Sequence, residues 1–325
     1  MNKRSEDTKL FKNCRVGVVG DIMLDHYVFG RVHRISPEAP VPIVLVSGES
    51  YAPGGAGNTA RNMATLGAKV DLLGEIGRDS AADIVLKELK KCGVKTDGVI
   101  RNNTKETIEK IRIVGQSGQL LRVDKEKPGS ISQETERVIA RYVTSHIGTW
   151  DVVVISDYAK GVISAALAKK ILAQAVRHRV PVVVDTKPKH FSFFKKAAVI
   201  TPNMKEALET VKMLGGTSVS LPYMGAFLVK VSGSAILLTQ GEKGLTLFEK
   251  DGATYFRSVA AQDANVVGAG DTVVAALAFA LASGSPLKEA AYLANIAAGI
   301  AVRKEGTVAV TLSEVTSAVA RERLR

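Results

Sequence analysis

The chain has 325 residues, of which 46% are apolar and 23% are charged, and its formal net charge at pH 7 is +12. This composition is typical of a globular protein with enough apolar material for one large α/β domain. Only Cys14 and Cys92 are present, which excludes a disulfide framework. The apolar stretch 272–287 is too short to span a bilayer, and no signal-peptide-like run begins the chain. We therefore expect a cytoplasmic protein without a membrane partner.

The positive charge is compatible with nucleic-acid binding or with a basic surface that attracts anionic metabolites. Lys and Arg are spread along the whole chain, aromatic residues make up 5%, and no zinc-finger spacing is present. These features favour the second interpretation and predict a small anionic substrate rather than a nucleic-acid partner.

Short apolar stretches alternate with helical ones from the N-terminus onwards. Strands buried on both faces are predicted at 14–21, 70–77, 151–157, 180–185, 197–203 and 235–241. Helices are predicted at 57–67, 79–92, 131–147, 163–178 and 204–214. This alternation indicates an α/β fold, with a mostly parallel sheet between two layers of helices. Ligands of such sheets lie beyond the carboxyl ends of the strands. The residues at those ends are Asp21, Asp157, Asp185 and Asn203.

Two segments break the alternation and have the period-2 pattern of hairpins: 26–50 and 104–126. Pro37, Pro40 and Pro42 in the first segment suit a turn or an edge strand. We expect both segments to form a small sheet, a lid, over the strand ends. No repeat or low-complexity linker divides the chain, so residues 1–325 are predicted to form one domain that carries this lid.

The stretch VVGAGDTVVAALAFALASG, 266–284, places Asp271 at the start of a long uncharged run. Asp271 could cap a helix at this position. It could instead be a general base, with the backbone amides of Gly268, Ala269 and Gly270 facing an anion at the helix N-terminus. The residues of this stretch leave both interpretations open.

Two common nucleotide-binding motifs are absent. GEKGL at 241–245 lacks the pattern of a P-loop, and the glycines of APGGAGNTA at 52–60 do not follow a clean buried strand, so NAD binding is not expected. In TPNMKEALE, 201–209, Asn203 and Glu206 have the spacing of a helix capping box.

Two stretches resemble the signatures of the ribokinase-like carbohydrate kinase family: GGAGNTARNMATLGAKVDLLGEIG at 54–77 and NVVGAGDTVVAALA at 265–278. The resemblance implies a ribokinase-like three-layer fold and ATP-dependent phosphorylation of a sugar. It also implies that Asp271 is the catalytic base and that the amides of 268–270 form an anion hole. This favours the catalytic interpretation of Asp271, with capping as a secondary role.

The same resemblance implies a site for ATP and Mg²⁺. Asn203 and Glu206 match a motif near the nucleotide phosphates, where Glu206 would hold hydrated Mg²⁺ through water. TQGEKG, 239–244, resembles the turn that contacts the nucleotide, and adenine would lie between it and a helix beginning near Tyr292. The residues implied in nucleotide binding are Asn203, Lys205, Glu206, Thr239, Gly241, Gly244 and Asn295.

Three further stretches resemble bacterial D-glycero-β-D-manno-heptose 7-phosphate kinases: 20–42, which contains RISPEAPVP, 107–124 and 156–162. The resemblance implies phosphorylation at C1 for the synthesis of ADP-heptose and lipopolysaccharide precursors. Hydroxyl contacts are expected from Asp21 and Asn58 at the strand end and glycine turn, and the sugar phosphate requires cations. The predicted substrate-binding residues are Asp21, Gly54, Gly55, Asn58, Lys110, Arg112, Arg122, Asp157 and Lys160.

Two residues depart from the family pattern. Asn265 replaces an acid that is frequent six residues before the base, which argues against a monovalent-cation site, and Thr186 replaces a usual Pro. The chain ends at Arg325, so it resembles a stand-alone kinase or the kinase half of a bifunctional enzyme.

Other functions remain open at this point: another sugar or nucleoside kinase, or a non-catalytic sugar-binding relative. The apolar residues of the lid also predict a homodimer formed through the lids, unless each lid only covers its own site.

Overall fold

Thirteen strands form two sheets in the computed structural model, which describes residues 14–116, 118–127, 129–259, 268–304 and 309–322. The large sheet has the order β13-β12-β11-β10-β9-β8-β1-β4-β5 and the small one β3-β2-β6-β7. In chain order the strands are β1 (Arg15–Gly20), β2 (Ile22–Ile35), β3 (Pro42–Gly55), β4 (Lys69–Ile76), β5 (Lys95–Arg101), β6 (Ile108–Gly115), β7 (Gly118–Lys125), β8 (Val152–Asp157), β9 (Val182–Thr186), β10 (Val199–Ile200), β11 (Ala235–Thr239), β12 (Gly244–Glu249) and β13 (Gly252–Arg257).

Nine α-helices of the described residues cover the large sheet. They are α1 (Ala56–Thr65), α2 (Ser80–Lys91), α3 (Gln133–His146), α4 (Ala165–His178), α5 (Met204–Met213), α6 (Leu221–Ser232), α7 (Ala269–Ala282), α8 (Leu287–Ala301) and α9 (Leu312–Glu322). Short 3₁₀ turns lie at Ile147–Thr149, Pro188–Phe193 and Gly241–Lys243. In the described part of the chain, none of the helices has the length and apolar character needed to cross a membrane.

The apolar strands of the large sheet divide their side chains between two cores. In β1, Val16 and Val18 join the core beneath α1, α2, α7, α8 and α9, while Val19 joins the core beneath α3 to α6. Successive residues of a strand point to opposite faces, so a continuously apolar strand must be covered on both sides. The predicted three-layer α/β fold is therefore observed. Strand β1 lies inside the large sheet and pairs in parallel with β4 on one side and β8 on the other.

The four-stranded sheet is built from the two segments that the sequence assigned to a lid. β2 and β3 form an antiparallel hairpin, β6 lies parallel to β2, and β7 pairs antiparallel with β6. Pro37 and Pro40 lie in the turn of the hairpin, and Pro42 begins the edge strand β3, where a missing N–H breaks no internal pairing. We call this four-stranded sheet the lid.

Two features of the C-terminal half differ from the sequence-based expectation. The helix expected to begin near Tyr292 begins at Leu287, directly after Pro286. The antiparallel strands β12 and β13 were not predicted, although the Asp251-Gly252 pair, at the junction of the turn and β13, is a strong hairpin signal. The prediction that residues 1–325 form one domain stays a prediction.

Candidate active site

Asp271 lies in the first turn of α7, but it is not the N-cap of that helix. The N-cap is Gly268, with left-handed backbone angles (φ 79°, ψ 0°) that suit glycine, and no side chain caps this end. The interpretation of Asp271 as a helix cap, as its main or its secondary role, is therefore wrong. Its carboxylate is free to interact with residues from other elements.

Three side chains donate hydrogen bonds to the Asp271 carboxylate. Asn58 Nδ2 lies 2.6 Å from Oδ2, Tyr158 Oη lies 2.7 Å from Oδ1, and Thr59 Oγ1 lies 3.3 Å from Oδ1. Asp271 is only 7% exposed. Burial raises the pKa of this carboxyl above its usual range, while the bonds from Asn58 and Tyr158 counteract that rise by stabilising the anion. A buried carboxylate held in this way is suited to accept a proton.

Asn58 was predicted to contact the sugar, and the structure places it directly on the predicted base. Its Oδ1 accepts hydrogen bonds from Arg61 and Asn62, so the amide orientation is fixed and Nδ2 points at Asp271. Tyr158 was not among the predicted site residues. It lies within the SDYAKGV stretch, but no local pattern there indicates that its hydroxyl reaches a residue 113 positions away.

The N-terminus of α7 faces a small cavity of about 190 Å³ lined by Asp271, Gly268 and Gly270. A Cβ atom on Gly270 would meet no atom of the described residues within 4 Å, so it would project into open space. An anion in this space would meet the free backbone amides and the positive end of a 14-residue helix. Asn265, on which the monovalent-cation question depends, lies outside the described residues.

The same cavity is also lined by Asp185, Glu206 and Lys187. Lys187 Nζ lies 2.5 Å from Glu206 Oε1. Burial lowers the pKa of Lys187, but the bond to Glu206 and the negative charges of Glu206, Asp185 and Asp271 together outweigh it, so the pKa lies above the usual value. Burial, and then repulsion from Glu206, raise the pKa of Asp185 to about 8. Two crowded carboxyl groups of this kind are ligands that Mg²⁺ prefers, because a divalent cation would relieve their repulsion.

Asp185 was placed at this rim by the strand-end pattern but was not among the predicted site residues. Within the described residues, no side chain or backbone amide donates a hydrogen bond to its carboxylate, whereas the carboxylates of Asp21 and Asp157 accept backbone amides. No group of three or more His, Cys, Asp or Glu residues within the described ranges is arranged to hold a metal directly. Mg²⁺ here would therefore need water and phosphate oxygens as further ligands, as is usual for this ion.

The capping box predicted at the start of α5 is present. Asn203 Oδ1 accepts a hydrogen bond from the Glu206 amide, and Glu206 Oε2 accepts one from the Asn203 amide. The other oxygen of Glu206 faces Lys187 and the cavity. The structural and functional interpretations of this motif are thus compatible, because each uses a different oxygen.

A second cavity of about 630 Å³ adjoins the first and shares Asn203, Thr239 and Gly270 with it. The Asn295 amide donates to the Arg257 carbonyl at 2.8 Å and so joins α8 to the end of β13. All the residues predicted to bind the nucleotide line one or both cavities: Asn203, Lys205, Glu206, Thr239, Gly241, Gly244 and Asn295. The fold therefore assembles them around one space, although the role of each residue in nucleotide binding stays a prediction.

Asp21 and Asp157 shape the turn that follows β8. The buried carboxylate of Asp21 accepts the backbone amides of Tyr158, Lys160 and Val162. Asp157 accepts the amide of Ala159 and the side chains of Thr186 and His190. Both aspartates thus position the 158–162 turn, and their predicted contacts with the sugar stay predictions.

Gly54 and Gly55 allow β3 to approach β2 closely just before α1. A Cβ atom on Gly54 would lie 2.7 Å from Asp25 Oδ2, and one on Gly55 would lie 2.4 Å from the Asp21 carbonyl oxygen. Gly55 also has a positive φ of 56°. Glycine at both positions is thus explained by the close packing against β2, and the predicted substrate contacts stay predictions.

Three of the four cations predicted to bind a sugar phosphate have acidic partners. Arg112 pairs with Asp25 at 2.5 Å, Arg122 with Asp124 at 2.8 Å, and Lys160 with Glu126 at 2.6 Å. Within the described residues Lys110 forms no ion pair, and its Nζ lies 5.8 Å from the centre of the Tyr158 ring. Burial lowers the pKa of Lys110 below its usual value. It is the cation most in need of an anionic partner.

The family model for pfkB family carbohydrate kinases matches residues 15–314 of the chain. Bifunctional protein HldE of Desulfatibacillum aliphaticivorans is 40% identical over 317 residues, which are 97% of this chain and 65% of that protein. The HldE protein of Sulfurimonas denitrificans is 38% identical over 302 residues, which are 93% and 63% of the two chains. The chain thus spans just under two thirds of the length of these curated relatives.

Solved structures share the fold. Ribokinase from Thermotoga maritima aligns with a TM-score of 0.73 at 19% identity, over 94% of this chain and 99% of its own. Phosphofructokinase-2 from Escherichia coli, in complex with potassium, aligns with a TM-score of 0.78 at 17% identity, over 95% and 99%. Arabidopsis thaliana ribokinase, complexed with ribose and ATP, has a TM-score of 0.73 at 20% identity, over 95% and 99%. These likenesses confirm the predicted ribokinase-like fold.

Proposed function

The chain belongs to the pfkB family of carbohydrate kinases, and from this premise we propose that it transfers the γ-phosphoryl group of ATP to the C1 hydroxyl of D-glycero-β-D-manno-heptose 7-phosphate. The product would be the 1,7-bisphosphate, a precursor of ADP-heptose. The main observation that supports phosphoryl transfer is the buried Asp271 carboxylate beside the open N-terminus of α7. The choice of this sugar is supported by the resemblance of the stretches 20–42, 107–124 and 156–162 to heptose 7-phosphate kinases and by the two HldE relatives.

In this mechanism Asp271 accepts the proton of the attacking hydroxyl as the new O–P bond forms. The amides at the start of α7 stabilise the negative charge on the transferring phosphoryl group. Asp185 and Glu206 would hold Mg²⁺, partly through water, and the ion when bound would neutralise the β- and γ-phosphates. Lys187 adds a fixed positive charge in the same cavity.

The 7-phosphate would bind on the lid side of Tyr158. Lys110 lies there without an acidic partner among the described residues, and a cleft of about 590 Å³ beyond the 158–162 turn adds further cations. The basic residues lining this cleft are Lys127, Lys160, Lys189 and His190. Lys160 and His190 already contact Glu126 and Asp157, so a phosphate would supply a counter-charge chiefly to Lys127 and Lys189.

Replacing Lys110 with Met is expected to raise the KM for the sugar phosphate about tenfold, because one charge-assisted contact is lost while the side-chain stem is kept. The KM for ATP and the KM for an unphosphorylated sugar should stay within about twofold of the wild type. Steady-state kinetics with each substrate varied in turn checks this. Lys91→Met, which removes an exposed lysine of α2, is the matched control.

If Lys110→Met raised the KM values of the phosphorylated and the unphosphorylated sugar equally, the result would contradict the assignment of Lys110 to the phosphate site. Arg112→Ala is a poorer test, because it would leave the carboxylate of Asp25 without its partner inside the lid.

A screen of sugars with and without phosphate, in the presence of Mg²⁺ and ATP, tests the choice of substrate. Heptose 7-phosphate should be phosphorylated far more efficiently than heptose, fructose 6-phosphate or ribose. Preference for an unphosphorylated sugar or a nucleoside would support the general kinase alternative. Binding without turnover for every sugar would support a non-catalytic relative. The predicted cytoplasmic location stays a prediction.

We further propose that two chains associate through their lids. Several lid side chains are apolar and exposed, Leu45 among them at 66%, and β3 and β7 present unpaired edges within the described part of the lid. Such a surface is typical of a protein interface. The other exposed apolar residues of the lid are Phe29, Ile35, Val46, Tyr51, Leu120, Leu121 and Val123.

Leu45→Glu is therefore expected to yield monomers and to raise the sugar KM several-fold, because a charge would be buried in an apolar contact that shapes the sugar site. Light scattering at micromolar concentration and sugar kinetics measure the two effects. Val176→Glu on α4, where the wild-type side chain is 72% exposed, is the matched control and should change neither. A fully active wild-type monomer would show that each lid serves only its own site.

A further inference from the structure

Tyr158 donates a hydrogen bond to the predicted base. Its hydroxyl donates to Asp271 Oδ1 at 2.7 Å, and its own amide donates to Asp21 Oδ2 at 2.9 Å. Two ammonium groups lie over its ring, with Lys187 Nζ at 5.1 Å and Lys110 Nζ at 5.8 Å from the ring centre. The two lysines come from different parts of the fold, one from the wall of the smaller cavity and one from the lid.

The phenol of Tyr158 can act only as a donor to Asp271 near neutral pH. Burial and the neighbouring Asp271 carboxylate raise the pKa of the Tyr158 hydroxyl well above its ordinary value. Other charged groups that influence these two side chains come from different elements: Asp25 from β2, Arg61 from α1, and Asp185 and Lys187 at the end of β9. The phenol therefore keeps its proton and can donate it to the Asp271 carboxylate when no sugar is bound.

A kinase base must accept a hydrogen bond from the hydroxyl that attacks the γ-phosphoryl group. Oδ1 of Asp271 already accepts hydrogen bonds from Tyr158 and Thr59, and Oδ2 accepts one from Asn58. Asn58 is fixed by Arg61 and Asn62, so Tyr158 is the donor that can yield its place. Because Tyr158 and Thr59 use both lone pairs of Oδ1, an incoming hydroxyl that approaches this oxygen must compete with the phenol.

We propose that Tyr158 is a positioning residue that competes with acceptor hydroxyls for Asp271, and that this competition favours a sugar over water. A sugar hydroxyl is held in place by the rest of the bound sugar, so it displaces the phenol without a further loss of translational freedom. A water molecule has no such additional contacts. This inference rests on the proposed role of Asp271 as the base.

The reaction that Tyr158 would suppress is hydrolysis of ATP. In it, a water oxygen forms a bond to the γ-phosphorus while the bond to the β,γ-bridging oxygen breaks, and a water proton passes to the Asp271 carboxylate. The products are ADP and inorganic phosphate, and no other reactant is needed. Exclusion of this side reaction is a general requirement for kinases, whose acceptor must prevail over a large excess of water.

Tyr158→Phe is expected to raise sugar-independent ATP hydrolysis about tenfold, which corresponds to the loss of one charge-assisted hydrogen bond. Release of inorganic phosphate from Mg²⁺-ATP, measured without any sugar, reports this change. The sugar KM should fall, since the sugar no longer displaces a phenol. A purely structural role would instead lower both activities and raise the sugar KM.

Two comparisons isolate the effect. Tyr223→Phe removes a hydroxyl bonded to Thr217 and should leave hydrolysis unchanged. Tyr158→Phe combined with Asp271→Asn should return hydrolysis to the wild-type rate or below, because the added reaction needs the base. Unchanged or reduced hydrolysis in folded Tyr158→Phe would overturn the proposal.

Incorporation of 3-fluorotyrosine at position 158 keeps the side-chain shape and strengthens the phenol as a donor, so it serves if Tyr158→Phe fails to fold. Hydrolysis should then decrease and the sugar KM should rise, and the opposite changes would overturn the proposal. If Asp271→Asn alone retains sugar phosphorylation, the proposed base is wrong, which is a different outcome from a failure of the competition.

Discussion

Asp271→Asn is expected to lower turnover by about 10²–10⁴-fold, the usual contribution of a positioned general base. The amide cannot accept the proton of the sugar hydroxyl, although it has nearly the shape of the carboxylate. The fold should be retained, because the oxygen of the new amide can accept from Asn58. Its amino group can donate to the Tyr158 hydroxyl, which can also act as an acceptor. ATP affinity should be close to that of the wild type, because the amides of α7 are unchanged.

Turnover, ATP binding by calorimetry and a melting curve together test this expectation. Asp251→Asn in the exposed turn between β12 and β13 is the matched control and should have wild-type kinetics. Near-normal turnover in a folded Asp271→Asn protein would contradict the assignment of the base. Loss of the fold would instead indicate that the carboxylate is needed for the network with Asn58 and Thr59.

Asp185→Asn is expected to have two opposite effects, a decrease in Mg²⁺-dependent turnover of about 10–100-fold and an increase in stability without metal. The decrease follows if Asp185 helps to hold hydrated Mg²⁺. The increase follows from crowding, because burial and the nearby Glu206 make ionisation of Asp185 unfavourable in the folded protein.

The sign of the pH dependence follows from the raised pKa. The Asp185 carboxyl has a pKa of about 8 in the folded protein, against an ordinary value of 3.8. The folded state therefore binds this proton more tightly than the unfolded state does. The contribution of Asp185 to the free energy of unfolding is greatest below about pH 4 and is lost as the pH rises to about 8. The melting temperature of Asp185→Asn should exceed that of the wild type by more at about pH 8.5 than at about pH 5.

Added Mg²⁺ should reduce this difference in melting temperature at about pH 8.5, because the ion stabilises the ionised wild-type carboxylate. Asp251→Asn should show no comparable dependence on pH or Mg²⁺. If the melting temperatures of Asp185→Asn and the wild type differed by the same amount at every pH, the result would contradict the inference that Asp185 and Glu206 repel each other. If the difference in melting temperature varied with pH but not with Mg²⁺, the result would contradict the proposal that Asp185 holds the metal.

Features that depend on neighbours in the chain could be predicted from the sequence. The apolar runs around Val16 and Val152 predicted strands buried on both faces, because the side-chain period of a strand is fixed at two residues. The capping box of Asn203 and Glu206 followed from a spacing of three residues. The hairpins of the lid followed from alternation and from the prolines at positions 37, 40 and 42.

The partners of the site residues could not be predicted in this way. Asp271 meets Asn58 and Tyr158 across 213 and 113 positions of the chain, and its exclusion as an N-cap depends on the conformation of Gly268. In the same way, the pairing of Arg112 with Asp25 depends on which strands adjoin in the lid.

The physical reason is the range of the interactions. Helix caps and strand periodicity are set by bonds within a few residues, and the sequence determines them directly. Hydrogen bonds and ion pairs of a buried site are set by distances across packed elements, and burial itself changes their strength and the pKa of each group. The sequence alone therefore determined the layers, the lid and the chemical types at the strand ends. Only the tertiary structure decided that Tyr158 contacts the predicted base and that Asp185 is crowded against Glu206.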